Sequence, residues 1–138
     1  MLFQPDPLYK EHAQKLRERA EELQDGEIRM LSDITPFDWD RLYRFAPYTS
    51  AEETYQTIGE GQRGLNIQST VDEGMMQIIF LKDQQVVCHL YGYPSQVGVS
   101  FDLGDFNGRH SLLLQAQAHP TFLVDHHSAG YSTLTLQP

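Results

Sequence analysis

Histidine and aspartate side chains near the C-terminal end of the chain are of types that can bind a metal ion. The loop 125–127 reads Asp-His-His, and His119 precedes it. Zinc sites use imidazole and carboxylate ligands, so His119, Asp125 and His126 are the candidate ligands of a small metal-dependent hydrolase. Adjacent side chains of an extended chain point to opposite sides, however, and there is no HExxH spacing. We therefore predict a polar turn without a metal and keep the hydrolase as an alternative.

The sequence offers little for nucleophilic catalysis. Ser128 lies beside His127, and Cys88 beside His89, but a nucleophile and its base must converge, which neighbours on an extended chain do not do. There is no GxSxG turn, and the glycines at 59, 61 and 64 match no phosphate or dinucleotide fingerprint. We predict no catalytic residues and no cofactor.

The segment 37–59 concentrates residues that are common in binding sites, and it holds the only Trp of the chain. Trp, Tyr and Arg dominate the energetics of protein interfaces. An alternative assigns the aromatic residues to the core face of a strand, and an accessible ring at Tyr48, after Pro47, would favour binding. The candidate binding residues are Trp39, Arg41, Tyr43, Arg44 and Tyr48.

The same segment carries the pattern WD-x(6)-PYTS-x(2)-E-x(5)-G, from Trp39 to Gly59, about a sixth of the chain. It resembles a motif of small uncharacterised bacterial proteins, many with a lipoprotein or secretion signal. The resemblance implies a bacterial origin and a cell-envelope location, and it implies no activity. The first residues, MLFQPDPLYK, lack the features of a signal peptide. As it stands, the sequence predicts a cytoplasmic protein, or an envelope protein if a signal segment was removed.

The charge of the chain narrows the choice of partners. Its formal net charge is −9, and after Arg44 only Arg63, Lys82 and Arg109 are basic. Nucleic-acid binding needs clustered basic residues, so we predict no nucleic acid. No stretch approaches the ~20 apolar residues of a membrane span. We predict a non-enzymatic domain that binds a protein partner, and an immunity or inhibitor protein with a basic partner is an alternative.

Length and hydrophobic spacing predict the first elements. Residues 1–138 suit a single domain with its own core. Asp6 and Pro7 are typical of a helix start, and an apolar stripe predicts a helix over about 7–25. This narrow stripe either docks on the sheet or pairs with a second copy in a homodimer.

The central block predicts a strand followed by a helix. Residues 37–45 alternate with a period of two, which places their aromatic side chains on one face. Ser50 and Glu53 have the spacing of a capping box, and Gly59 is a typical helix end.

Most of the remaining segments predict strands. The half from 75–136 is β-rich, with a hairpin formed by 75–81 and 86–91. Short turns between consecutive strands favour an antiparallel meander. The predicted fold class is α+β: a mostly antiparallel sheet of about five to seven strands, with the N-terminal and central helices packed on one face. The other predicted strands are 27–34, a short one around 65–68, 97–103, 112–118, 121–124 and 131–136.

Overall fold

The computed structural model describes residues 4–138, which form an α+β fold with an N-terminal helix, as predicted. The helices are α1 (Tyr9–Glu22), α2 (Leu31–Ile34), α3 (Ala51–Ile58) and α4 (Pro94–Val97), with 3-10 helices at Glu60–Leu65 and Ala116–Ala118. The strands are β1 (Ile28–Met30), β2 (Arg41–Phe45), β3 (Met76–Lys82), β4 (Gln85–Gly92), β5 (Val99–Asp102), β6 (Ser111–Gln115), β7 (Thr121–His127) and β8 (Tyr131–Leu136).

The strands divide into two four-stranded sheets, whereas the sequence predicted one. Sheet I has the order β4-β3-β2-β6 and is antiparallel throughout. Sheet II has the order β1-β7-β8-β5, and its β5 runs parallel to β8. The chain is a meander only locally, because β5 and β6 lie in different sheets. The predicted hairpin of β3 and β4 is confirmed, and its turn residues Asp83 and Gln84 have φ of 49° and 68°, as a type I′ turn requires.

The main core contains residues from both sheets and from α1. Leu16 and Ala20 of α1 are fully buried in one cluster with Phe80 of sheet I and Phe122 of sheet II. Their spacing of four residues places both side chains on one side of the helix. The apolar stripe of α1 therefore packs within its own chain, which leaves it unavailable for the homodimer considered above.

A second, smaller cluster lies on the opposite face of sheet I. Ile79 belongs to it, whereas Ile78 and Phe80 belong to the main core, because successive residues of a strand face opposite sides. Tyr55 and Ile58 of α3 cover this second cluster. The N-terminal helix α1 and the central helix α3 thus pack mainly on different clusters and not on one face of the sheet as predicted. Both faces can be covered because β3 is apolar on each of them.

Several predicted strands are shorter in the structure. The segment 27–34 is a strand only over Ile28–Met30, because Leu31 and Ile34 are both buried by the one-turn helix α2. The segment 97–103 is extended only from Val99, since Gly98, with φ of 94°, ends α4. The strand predicted around 65–68 is absent, and the one predicted over 112–118 ends at Gln115, where a 3-10 helix follows.

Candidate functional site

Trp39 lies in the main core. Its side chain is 7% exposed, its Nε1–H donates to Oγ1 of Thr35 at 3.2 Å, and its ring meets Phe80 edge to face at 5.4 Å. β2 begins only at Arg41, so the alternation predicted from residue 37 does not hold before that point. The prediction of one aromatic face is therefore wrong, because Trp39 packs in the main core and Phe45 in the second cluster.

Arg41 and Tyr43 remain together at the margin of the second cluster. The guanidinium carbon of Arg41 is 5.8 Å from the centroid of the Tyr43 ring, and its Nε is 3.7 Å from Oδ1 of Asp40. The other carboxylate oxygen of Asp40 accepts a hydrogen bond from the N–H of Asp83 at 3.0 Å. Arg41 thus lies along an aromatic ring and close to a carboxylate.

Arg44 faces the other side of β2 and links the two sheets. Its Nε donates to the carbonyl oxygen of Phe101, in β5, at 2.6 Å, and its Nη1 donates to the carbonyl oxygen of Phe45 at 3.1 Å. Burial lowers the pKa of the Arg44 guanidinium, and the nearby Asp102 carboxylate opposes this shift. These internal hydrogen bonds give Arg44 a structural role.

Tyr48 is the most exposed of the five candidates. Its side chain is 64% exposed, and its backbone has φ of 65°. Left-handed backbone is uncommon for a bulky residue and costs about 1–3 kcal/mol, so surrounding contacts must enforce it. The buried residues Thr49 and Thr70 do so: the N–H of Thr49 donates to Oγ1 of Thr70, and the N–H of Thr70 donates to the carbonyl oxygen of Thr49, both at 3.0 Å.

Two further apolar side chains, those of Val71 and Tyr93, are also exposed. Val71 comes directly after Thr70 and is 69% exposed. The ring of Tyr93 packs over Gly74, because a Cβ added to this glycine would lie 3.2 Å from the ring. We call the set Tyr48, Val71, Asp72, Glu73 and Tyr93 the Tyr48 surface.

The carboxylate of Asp72 stabilises the turn within the Tyr48 surface. Its Oδ1 accepts a hydrogen bond from the N–H of Gly74 at 2.9 Å. This backbone hydrogen bond, and then one from Tyr93, lowers the pKa of Asp72. Asp72 therefore stays ionised, and the exposed apolar side chains lie beside a negative charge. Sequence reasoning missed Val71 and Tyr93, and the signal for Val71 was an isolated β-branched residue in a polar connection.

The candidate metal ligands are not brought together. β7 extends through His127, so the segment 125–127 is strand and not loop. Nδ1 of His126 hydrogen-bonds to Oγ of Ser132 at 2.5 Å, and its Nε2 to the carbonyl oxygen of Leu23. His119 lies apart, in left-handed backbone after a 3-10 helix. Among residues 4–138, no three His, Cys, Asp or Glu side chains are grouped so that they could hold a metal ion.

Within the described part of the chain, no helix is both long and apolar enough to span a membrane. The exposed corner at Tyr48 is part of an α+β fold built on two sheets. A scan against protein-family models, a search of curated proteins and a search of solved structures found no match for this chain.

Proposed function

We propose that this chain is a non-enzymatic binding domain that recognises a protein partner through the Tyr48 surface. The observation that carries the proposal is the aromatic ring of Tyr48, which is exposed on strained backbone. Tyr48 is the third residue of the turn 46–49, and a positive φ at this position favours Gly or Asn. Strained residues are concentrated at functional sites, and Tyr is a common anchor of interfaces.

The charges of the surface point to a basic partner. Asp72 and Glu73 are exposed beside Val71, and the whole chain has a net charge of −9. A partner with cationic side chains around an apolar centre would complement this arrangement. An immunity or inhibitor protein that neutralises a basic enzyme or toxin is a special case of this proposal and is our second candidate.

The other candidates for function have less support. Both ring nitrogens of His126 have partners inside the chain, which weakens the metal-dependent hydrolase. Trp39 and Arg44 are engaged internally, so we assign binding to Tyr48 and do not extend it to the whole block 37–59. The bacterial origin and envelope location implied by the motif stay predictions.

A comparative pull-down tests the proposal. The native chain and folded variants carrying Tyr48→Ala, Asp72→Asn/Glu73→Gln or Ile28→Ala are used to capture proteins from lysate and envelope fractions, with identification by mass spectrometry. Ile28 is a matched control, because it is 59% exposed but lies in sheet II.

We expect one basic protein to be captured by the native chain and by Ile28→Ala, and to be lost with Tyr48→Ala. The charge-neutralised variant should retain less of it, and capture should weaken as salt is raised. A partner that binds Tyr48→Ala as well as the native chain would refute the proposed surface.

A further inference from the structure

A wide trough separates α1 from residues 64–66 and is unrelated to the Tyr48 surface. Its volume is about 630 Å³, and His89 of β4 lines it. Tyr9 and Leu65 contribute apolar lining. Clefts that bind small ligands commonly have volumes of about 300–1,000 Å³.

Two cationic side chains line the trough from α1. Lys10 and Arg17 are seven positions apart, so both lie on the same side of the helix. Arg17 donates from Nη2 to the neutral side-chain oxygen of Gln14 at 2.5 Å, which leaves most of its N–H donors available. Within residues 4–138, neither Lys10 nor Arg17 forms an ion pair with a carboxylate, although the chain has a large excess of acidic residues.

His89 also lines the trough, and one of its two ring nitrogens is a hydrogen-bond acceptor. Its Nε2 lies 2.9 Å from Oε1 of Gln77, and the side-chain nitrogen of Gln77 donates to the carbonyl oxygen of Gln68 at 3.5 Å. Oε1 of Gln77 must then accept, so Nε2 of His89 carries the proton. Burial lowers the pKa of His89 to about 4, which keeps the ring neutral at pH 7. In this tautomer Nδ1 is an acceptor, and it has no partner among the described residues.

We propose that the trough binds a small hydroxylated anion, with its oxyanion group held by Lys10 and Arg17 and a hydroxyl group donating to Nδ1 of His89. A carboxylate and a phosphate would both suit the cationic pair, so hydroxycarboxylates and sugar phosphates share the required chemistry. The acceptor at His89 separates these ligands from a simple anion such as sulfate, which has no hydroxyl to donate at pH 7.

Calorimetric titration at pH 7 and low salt tests the inference, with malate, glucose 6-phosphate and sulfate as probes. The native chain is compared with Lys10→Gln/Arg17→Gln and with the control Lys15→Gln/Arg109→Gln. The control removes the same charge from two residues outside the trough. NMR spectra of the native chain, recorded separately, follow the ¹⁵N resonances of the His89 ring on addition of each probe. This measurement needs no substitution at His89.

We expect one hydroxylated probe to bind, and the Lys10→Gln/Arg17→Gln variant to bind it about tenfold or more weakly, because this variant lacks both cationic donors to the oxyanion. The control should keep its affinity, and the Nδ1 resonance should shift on binding. Selective binding of malate or of glucose 6-phosphate would identify the oxyanion as carboxylate or phosphate. Equal affinity for sulfate, an equal loss in the control, or no binding of any probe at millimolar concentration would overturn the inference.

Discussion

Replacing Tyr48 by Gly and by Ala separates the strain of its backbone from the function of its ring. Both variants remove the ring, so both should lose the partner. They differ in the Cβ, which is unfavourable where φ is 65°. We therefore expect the Gly variant to be the more stable of the two.

The expected difference is about 1 kcal/mol in the free energy of unfolding. An L-residue in left-handed backbone costs roughly 1–2 kcal/mol relative to Gly, and the greater freedom of Gly in the unfolded chain removes about 0.5–1 kcal/mol of that advantage. The sign is diagnostic, because at ordinary extended or helical positions Gly is less stable than Ala. Leu113 in β6 is a matched control: it is 47% exposed, and there the Ala variant should be the more stable.

Urea unfolding followed by fluorescence provides the assay, since Trp39 is the only Trp and is buried. Midpoints are compared at equal slopes, so that a difference reports stability alone. If Tyr48→Ala is as stable as Tyr48→Gly, the backbone at this corner is not held in the left-handed region. If either variant still captures the partner, the ring is not its anchor.

Two further predictions concern the core and the pH dependence of stability. Trp39→Ala should lower the free energy of unfolding by about 3–5 kcal/mol, and a loss below about 1 kcal/mol in urea unfolding would contradict the core position. Burial lowers the pKa of His89 from 6.5 to about 4, so the unfolded chain binds a proton at this ring more readily than the folded chain does. The contribution of His89 to the free energy of unfolding should therefore be full above about pH 6.5 and fall by at most about 3 kcal/mol towards pH 4. Urea titrations of the native chain and of His89→Gln across this range check it, and an identical pH dependence in both would contradict the shift.

Local sequence signals predicted several elements because the contacts that make them are also local. The Ser50 side chain accepts from the N–H of Glu53 at 3.0 Å, and the Glu53 side chain accepts from the N–H of Ser50 at 3.4 Å, as the spacing of a capping box requires. Gly59 ends the helix with φ of 115°. The hairpin of β3 and β4 could be predicted in the same way, because its two apolar runs are separated by a short polar turn.

The assignment of the strands to two sheets could not be predicted from such local signals. The alternation of Val99 and Phe101 indicates one buried face, and it is the same whichever sheet the strand joins. β5 pairs with β8 in parallel, over a separation of about thirty residues, and this choice depends on the shape of the complete core. The position of Arg44 was hidden for the same reason, because its acceptor is the carbonyl oxygen of Phe101 in the other sheet.

The contacts of the central motif explain which of its residues is free to act. Trp39 bonds to Thr35, and Asp40 accepts from the N–H of Asp83. Thr49 pairs with Thr70, while Ser50, Glu53 and Gly59 set the ends of α3. The motif thus specifies a strand, a corner and a helix, and the fold alone accounts for the spacing of these residues. Tyr48 is different, because its ring is exposed and its backbone is strained. The fold does not require the exposed ring of Tyr48, whereas it does require the residues that hold this ring in place. We therefore assign the binding function to Tyr48.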